Sequence, residues 1–379
     1  MKYMEHGEMI VEESRQSDLK KSRRIYAGLG AAVIFLFLLS LCFKTSTPGF
    51  IPPKETFMDL FTAFRLFFSD LFNLPYSMNR SEIIASLPNY RISLTRLART
   101  VMFCLSGMGV ALAGAIFQTV YKNPMASPNI IGATVGVQLG NVLMITLYGA
   151  MALYMPLVRY RYCYILTGII VGGVLLMGRI AGGKRATYSV IEMVMAGSIV
   201  SQAFQVVATY MMYNLEDDDL LVYQQMTMGT EIQTDIVSVS AFCIAMAASL
   251  LPMFLIRFRF NGAGFSMDEA KMQGINGVRL RMGGQVCGVI MVTAAMIHCG
   301  DVGMISMAVP HLARYLVGAD FRRVSICSML FGAILMLGCR IVSSMIYIEN
   351  TELPVNFIIS LCIMPVFLVV LTRQRRGFE

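Results

Sequence analysis

Three stretches of the chain hold residue types that could do chemistry. Gly178-Arg179-Ile180-Ala181-Gly182-Gly183-Lys184-Arg185 has the glycine spacing of a phosphate-binding P-loop. That loop needs a serine or threonine hydroxyl after its lysine to hold magnesium, and a buried strand before it. Arg185 stands at the hydroxyl position and no strand pattern precedes it, so the stretch reads as a basic loop over 178–188. Any ATP hydrolysis must then come from another chain. His298-Cys299-Gly300-Asp301 offers three metal-ligand types. Ligands this close in sequence cannot all turn to one ion from a regular helix, and no distant His/Cys pair completes a site. They read as polar groups at a span boundary, with no metal and no cofactor. Ser266 followed by Glu269 is a capping box, and Gly274 suits the left-handed residue after a helix end. The spacing predicts a short, separately capped helix over 266–274, either an ordinary interfacial helix or a docking helix for a cytoplasmic partner. No paired carboxylates and no nucleophile–base motif appear, so an enzyme is not expected.

The elements that must position these residues are set by composition. Of 379 residues, 56% are hydrophobic and only 14% charged, and the mean hydropathy is +0.64. A soluble domain carries about 25% charged residues because its surface must be hydrated. Lipid must therefore solvate much of this surface. Apolar runs at 27–43, 236–256 and 327–348 reach the roughly 20 residues needed to cross about 30 Å of hydrocarbon. The chain holds about ten such spans: an all-α polytopic membrane bundle, with a 1–26 tail and a single transmembrane domain over 27–379. The net charge of +8 does not point to nucleic acid, because the basic residues sit in short clusters between apolar runs. The nine cysteines form no CxxC pair, and they and the 31 methionines read as packing residues.

Charge orients the bundle. Lys20, Lys21, Arg23, Arg24, Lys184, Arg185, Arg257, Arg259, Arg322, Arg323, Arg373, Arg375 and Arg376 fall on one side of the predicted spans, while Glu216-Asp217-Asp218-Asp219 falls in a loop on the other. By the positive-inside rule both termini are expected in the cytoplasm, against the contrary placement of Arg159 and Arg161. An outside segment covers 44–91, in which 57–72 is amphipathic enough to lie along the membrane surface, and a long inside loop covers 257–281. Gly132, Gly136 and Gly140 form a small-residue ridge that lets one helix approach another backbone to backbone.

Four stretches together resemble the FecCD/BtuC-like permease subunits of ABC importers for iron-siderophores, haem and vitamin B12. They are Arg96-Leu97-Ala98-Arg99-Thr100 through Gly107, Gly114 and Gln118 to Asn123-Pro124-Met125-Ala126-Ser127-Pro128; the Gly132, Gly136, Gly140 ridge; Met267-Asp268-Glu269-Ala270 with Gly274-Ile275-Asn276; and Val309-Pro310-His311-Leu312-Ala313-Arg314 through Asp320, with Glu352-Leu353-Pro354-Val355 beyond. The resemblance implies a homodimer, or a heterodimer of paralogues, in the cytoplasmic membrane with a translocation path at its interface. It also implies two cytoplasmic ATPase subunits and an extracellular substrate-binding protein as partners. By motif, Asp268, Glu269, Ala270 and Gly274 lie on the ATPase-coupling loop, with the capping Ser266 beside them, and Arg96 and Arg99 match an outside pair that receives acidic residues of the binding protein. Two arginines one turn apart can do so bidentately. The chain departs from the family at Asp301, and at Arg340 and Ser344, where the family has an Asp and then an Arg. A third docking arginine is thus left unassigned. The alternative, an ion-coupled secondary transporter, would need ionisable residues within the spans, for which Asp301, Glu192 and Arg340 are the candidates.

Overall fold

The computed structural model describes residues 2–43, 51–71, 90–186, 190–229, 234–264, 272, 276–348 and 351–375. The helices are α1 (Lys2–Cys42), α2 (Pro53–Leu71), α3 (Tyr90–Val120), α4 (Ala133–Tyr148), α5 (Pro156–Ala186), α6 (Val190–Tyr213), α7 (Asp217–Met228), α8 (Ile236–Leu255), α9 (Gly277–Cys299), α10 (Met304–Val317), α11 (Phe321–Ser343) and α12 (Val355–Arg375). Short 3-10 turns precede α4 at Pro128–Ile131, follow it at Gly149–Tyr154, and follow α8 at Arg257–Gly264. Two strands, β1 (Tyr347–Ile348) and β2 (Thr351–Glu352), pair antiparallel between α11 and α12.

Among the described residues, eight helices are long and apolar enough to cross a membrane. They are α1, α3, α4 with its 3-10 continuation, α5, α6, α8, α9 and α11. Of the other two expected spans, one meets a shorter element. α10 has 14 residues, so at 1.5 Å per residue it reaches only about 21 Å. α12 has 21 residues, enough to cross the hydrocarbon, and its apolar sequence runs from Val355 to Leu371.

Helix starts follow local chemistry. The Asp235 carboxylate accepts the Ser238 N–H at α8, Asn276 accepts the Arg279 N–H at α9, and Asp320 accepts the Arg322 N–H at α11. Each side chain satisfies an N–H that a helix start otherwise leaves open. Pro156 opens α5, where a missing N–H costs nothing.

α3 is the hub. Within its apolar window 78% of residues are buried, against 17% for α1 and 22% for α6, so α3 packs on protein nearly all round while α1 and α6 keep large faces outward. Small residues permit this. A Cβ at Gly107 would fall 2.2 Å from the Gly332 carbonyl oxygen on α11, and one at Gly114 1.7 Å from the Ser306 carbonyl oxygen on α10. Between membrane helices the drive is dispersion at such close approach, since lipid tails are as apolar as leucine.

Two readings from sequence are corrected. Residues 178–186 continue α5 rather than forming a loop. Their backbone N–H groups are committed to the helix ladder, so no phosphate cradle can be built from them. The acidic stretch at 216–219 is not a loop either: Glu216 is the N-cap of α7, and Asp217, Asp218 and Asp219 form its first turn. Three carboxylates there complement the positive end of the helix dipole, and Gly229 closes the helix with a left-handed φ of 72°.

Arg159, read from the sequence as a loop charge, lies within α5. It is 2% exposed, and its guanidinium donates to the Asn141 amide oxygen (3.0 Å) and to the Met226 carbonyl (3.2 Å) in the last turn of α7. It is a buried cation at a helix C-terminus, not a loop charge available to set topology. In α2, Thr56, Asp59 and Leu60 are buried while Phe57, Phe61 and Phe64 are exposed one turn apart. Its apolar face thus points away from the protein, as in an interfacial helix.

Candidate functional site

The chain presents polar groups at the two ends of α3 and along one face of α6. At the amino end of α3, Arg96 and Arg99 have different surroundings. Arg96 is 1% exposed; it donates through Nη1 to the Leu41 carbonyl at the end of α1 (2.7 Å) and through Nη2 to Ser93 Oγ (3.0 Å). Ser93 in turn donates to the Asp59 carboxylate on α2 (3.1 Å). Arg96 therefore ties α1, α2 and α3 together. Arg99, with its side chain 13% exposed, lies 3.6 Å from Glu352.

Glu352 has a second partner. Its other oxygen lies 3.3 Å from Arg340, whose side chain is 5% exposed and whose guanidinium carbon stands 5.7 Å from the centre of the Phe103 ring. Two arginines from α3 and α11 thus share one carboxylate carried by the β1–β2 hairpin. The hairpin is held by the Leu353 N–H donating to the Ile346 carbonyl (3.0 Å) and Ser343 Oγ donating to the Leu353 carbonyl (2.6 Å). The pairing was not apparent from sequence. Its signal was an acid at a span boundary, inside the Glu352-Leu353-Pro354-Val355 motif.

At the carboxyl end of α3, two of the motif stretches converge. Gln118 donates through Nε2 to the Met307 carbonyl on α10 (2.9 Å) and accepts a hydrogen bond from the Arg314 guanidinium at its Oε1. Around this pair lies a cavity of about 480 Å³, into which Thr119, Lys122, Asn123 and His311 also face. The Asn-Pro turn after α3 and the Pro-His-Leu-Ala-Arg stretch of α10, nearly two hundred residues apart in sequence, so form a single polar concavity.

The Gly132–Gly140 ridge lies against α5. A Cβ at Gly136 would fall 2.4 Å from Thr167 Cα, and one at Gly140 2.7 Å from Cys163 Cα. Gly132 itself precedes α4, with a φ of 88°, and a Cβ there would meet Ile170 at 2.5 Å. His298, Cys299 and Asp301 turn three ways. His298 hydrogen-bonds the Tyr160 hydroxyl, Cys299 faces Ser106 Oγ at 3.4 Å, and Asp301 accepts the Gly303 N–H at 3.0 Å. Ser266, Asp268, Glu269, Ala270 and Gly274 lie outside the described residues.

α6 carries a feature the sequence reading passed over. Ser198, Gln202, Gln205 and Thr209 recur at spacings of four, three and four, which is one helix face. Ser198, Gln202 and Thr209 are exposed and Gln205 is half-buried. The two hydroxyls bond back to their own helix, Ser198 to the Val194 carbonyl and Thr209 to the Gln205 carbonyl, each at 2.8 Å. The amides project from a helix whose length and hydropathy suit a membrane span.

Comparison with known proteins agrees with this architecture. The FecCD transport family model matches residues 32–373. The Fe(3+) dicitrate transport system permease protein FecC of Escherichia coli is 30% identical over 292 residues, covering 76% of this chain and 85% of its own. The molybdate import system permease protein MolB of Haemophilus influenzae is 26% identical over 294 residues, covering 74% and 81%. A solved inward-facing structure of a metal-chelate type ABC transporter superposes with a TM-score of 0.71 at 21% identity, covering 93% of this chain and 99% of that one, a likeness of fold. With its multi-pass apolar helices and a match over nearly its whole length, the chain is a membrane permease subunit of the ABC importer class and belongs to the FecCD transport family.

Proposed function

We propose that two copies of this chain, or this chain and a paralogue, form an importer for an iron chelate of the siderophore, haem or corrinoid type, with the path between their α6 helices. The observation that carries the dimer is the Ser198, Gln202, Gln205, Thr209 face. An exposed amide in hydrocarbon costs several kcal/mol, so this face is better suited to water or a partner than to lipid. A Gln202→Cys variant in a background freed of native cysteines is expected to cross-link to a second copy in membranes; a variant that stays monomeric under oxidation while Ile165→Cys on the α5 face does cross-link would move the interface to α5.

The relative named for Fe(3+) dicitrate supports the cargo class, and the relative named for molybdate supplies the competing one. Asp268 and Glu269 are assigned to the loop that meets a separate ATPase, and Arg99 to the outer face that meets a binding protein, with the basic end of the bundle in the cytoplasm. Of the candidates for an ion-coupled alternative, Asp301 accepts the Gly303 N–H and Arg340 pairs with Glu352, while the Glu192 side chain lies outside the described residues. The test is uptake into vesicles holding the chain with its ATPase and binding protein. Radio-iron as a ferric chelate is expected to enter with ATP, and Asp268→Ala with Glu269→Ala to reduce uptake at least about tenfold, the loss of one or two charge-assisted contacts. Uptake of molybdate but not of ferric chelates would overturn the cargo assignment; full uptake by the double variant would overturn the coupling assignment.

A further inference from the structure

The cavity at the carboxyl end of α3 has no part in the contacts assigned above, and its chemistry is one-sided. Lys122, His311 and Arg314 face it, with Gln118, Thr119 and Asn123 supplying neutral polar groups, and no carboxylate lines it among the described residues. Arg314 forms no ion pair among the described residues; the partner shown for it is the Gln118 amide. Two helix ends, those of α3 and α10, bring partial negative charge of about half a unit each. Lys122 and Arg314 together bring two positive charges, so an excess of positive charge remains even before His311 is protonated.

A second observation comes from the backbone. Lys122 is the described non-glycine residue with positive φ, at 51°. The turn around it is a Schellman closure of α3: the Lys122 N–H donates to the Thr119 carbonyl (3.4 Å) and the Asn123 N–H to the Gln118 carbonyl (3.2 Å). Glycine is the residue that takes this left-handed position without a Cβ penalty. A lysine there costs backbone strain and gives nothing to the turn that glycine would not. What it adds is an ammonium at the mouth of a cavity that already holds a guanidinium.

We infer that this cavity binds a phosphate-type oxyanion, held by Lys122 and Arg314, with Gln118 orienting the guanidinium. Two sources could supply that chemistry: a soluble oxyanion, or the phosphodiester of an anionic phospholipid at the membrane surface. The site does not depend on the import reading, because binding is measured on the purified chain alone. Lys122→Gly is the informative variant, since it relieves the left-handed lysine and should melt no lower than the parent when free of ligand. Lys122→Asn, which also tolerates that conformation, is the second.

The full chain in detergent is titrated with inorganic phosphate, with dihexanoyl-phosphatidylglycerol and with dihexanoyl-phosphatidylcholine, following the melting temperature. The parent is expected to be stabilised by phosphate or by phosphatidylglycerol, and both variants to bind at least about tenfold more weakly, as for a lost charge-assisted hydrogen bond. Stabilisation by phosphate assigns a soluble oxyanion, and stabilisation by phosphatidylglycerol alone assigns a lipid headgroup. No stabilisation by either anion, an equal effect of phosphatidylcholine, or equal binding by parent and variants would overturn the inference.

Discussion

Glu352→Gln is expected to destabilise the chain by about 3 kcal/mol in detergent unfolding, although glutamine has nearly the shape of glutamate. Glu352 balances two guanidiniums, Arg340 at 3.3 Å and Arg99 at 3.6 Å. Removing the charge leaves two like cations facing each other, one of them with a side chain only 5% exposed. Breaking a fully buried pair costs about 3–5 kcal/mol; the partial exposure of Glu352 and Arg99, 14% and 13%, places this case at the lower end. The signature is recovery. Adding Arg340→Met to Glu352→Gln removes the more buried of the two cations as well and should restore most of the loss, because a neutral, well-packed replacement of a buried pair is often as stable as the pair. If the double variant were no more stable than Glu352→Gln, the penalty would lie in the hairpin and not in the uncompensated charge.

Gly107→Val should be as damaging for a different reason. Gly107 and Gly332 meet backbone to backbone where α3 crosses α11: a Cβ at Gly107 would lie 2.2 Å from the Gly332 oxygen, and a Cβ at Gly332 2.1 Å from the Gly107 oxygen. Neither obstacle is a side chain that could rotate away, so the helices must separate, and α3 is the hub on which α10 and α11 rest. Overpacking of this kind costs about 3 kcal/mol or more, read as a lower unfolding midpoint and poor recovery of folded protein from membranes. Gly172→Ala on α5 is the control. Nothing stands within 4 Å of its added Cβ, so alanine there should be neutral or gain up to about 1 kcal/mol from helix propensity. Equal behaviour of the two variants would mean that the crossing is looser than the structure has it.

These two sites show where sequence and tertiary structure divide the work. Composition and apolar run length determined a polytopic helical bundle, because hydration of charge and the thickness of hydrocarbon are constraints on any segment wherever it packs. Small-residue spacing likewise announced close helix contact at Gly132, Gly136 and Gly140, and the ordered motifs pointed to the family. Local polarity misled where a helix did not look like a span. The acidic start of α7 read as a loop because three aspartates resemble a solvated turn, although the same residues are what a helix N-terminus attracts. The glycines and arginines of 178–186 read as a loop because the expected span had ended, while the helix simply continues beyond it.

Partnerships between distant charges were decided only by the fold. Arg96 and Arg99 are alike in sequence, one turn apart on one helix, yet one is sealed against α1 and α2 and the other pairs with a hairpin some 250 residues later. The departure at Arg340 became intelligible only with Glu352 beside it. The cavity joins Lys122 to Arg314 because α3 and α10 pack through Gly114 and Ser306. Spacing along a chain determines what one helix presents; which faces meet depends on the packing of all of them together, since a buried charge takes whatever counter-group the assembled bundle brings within reach.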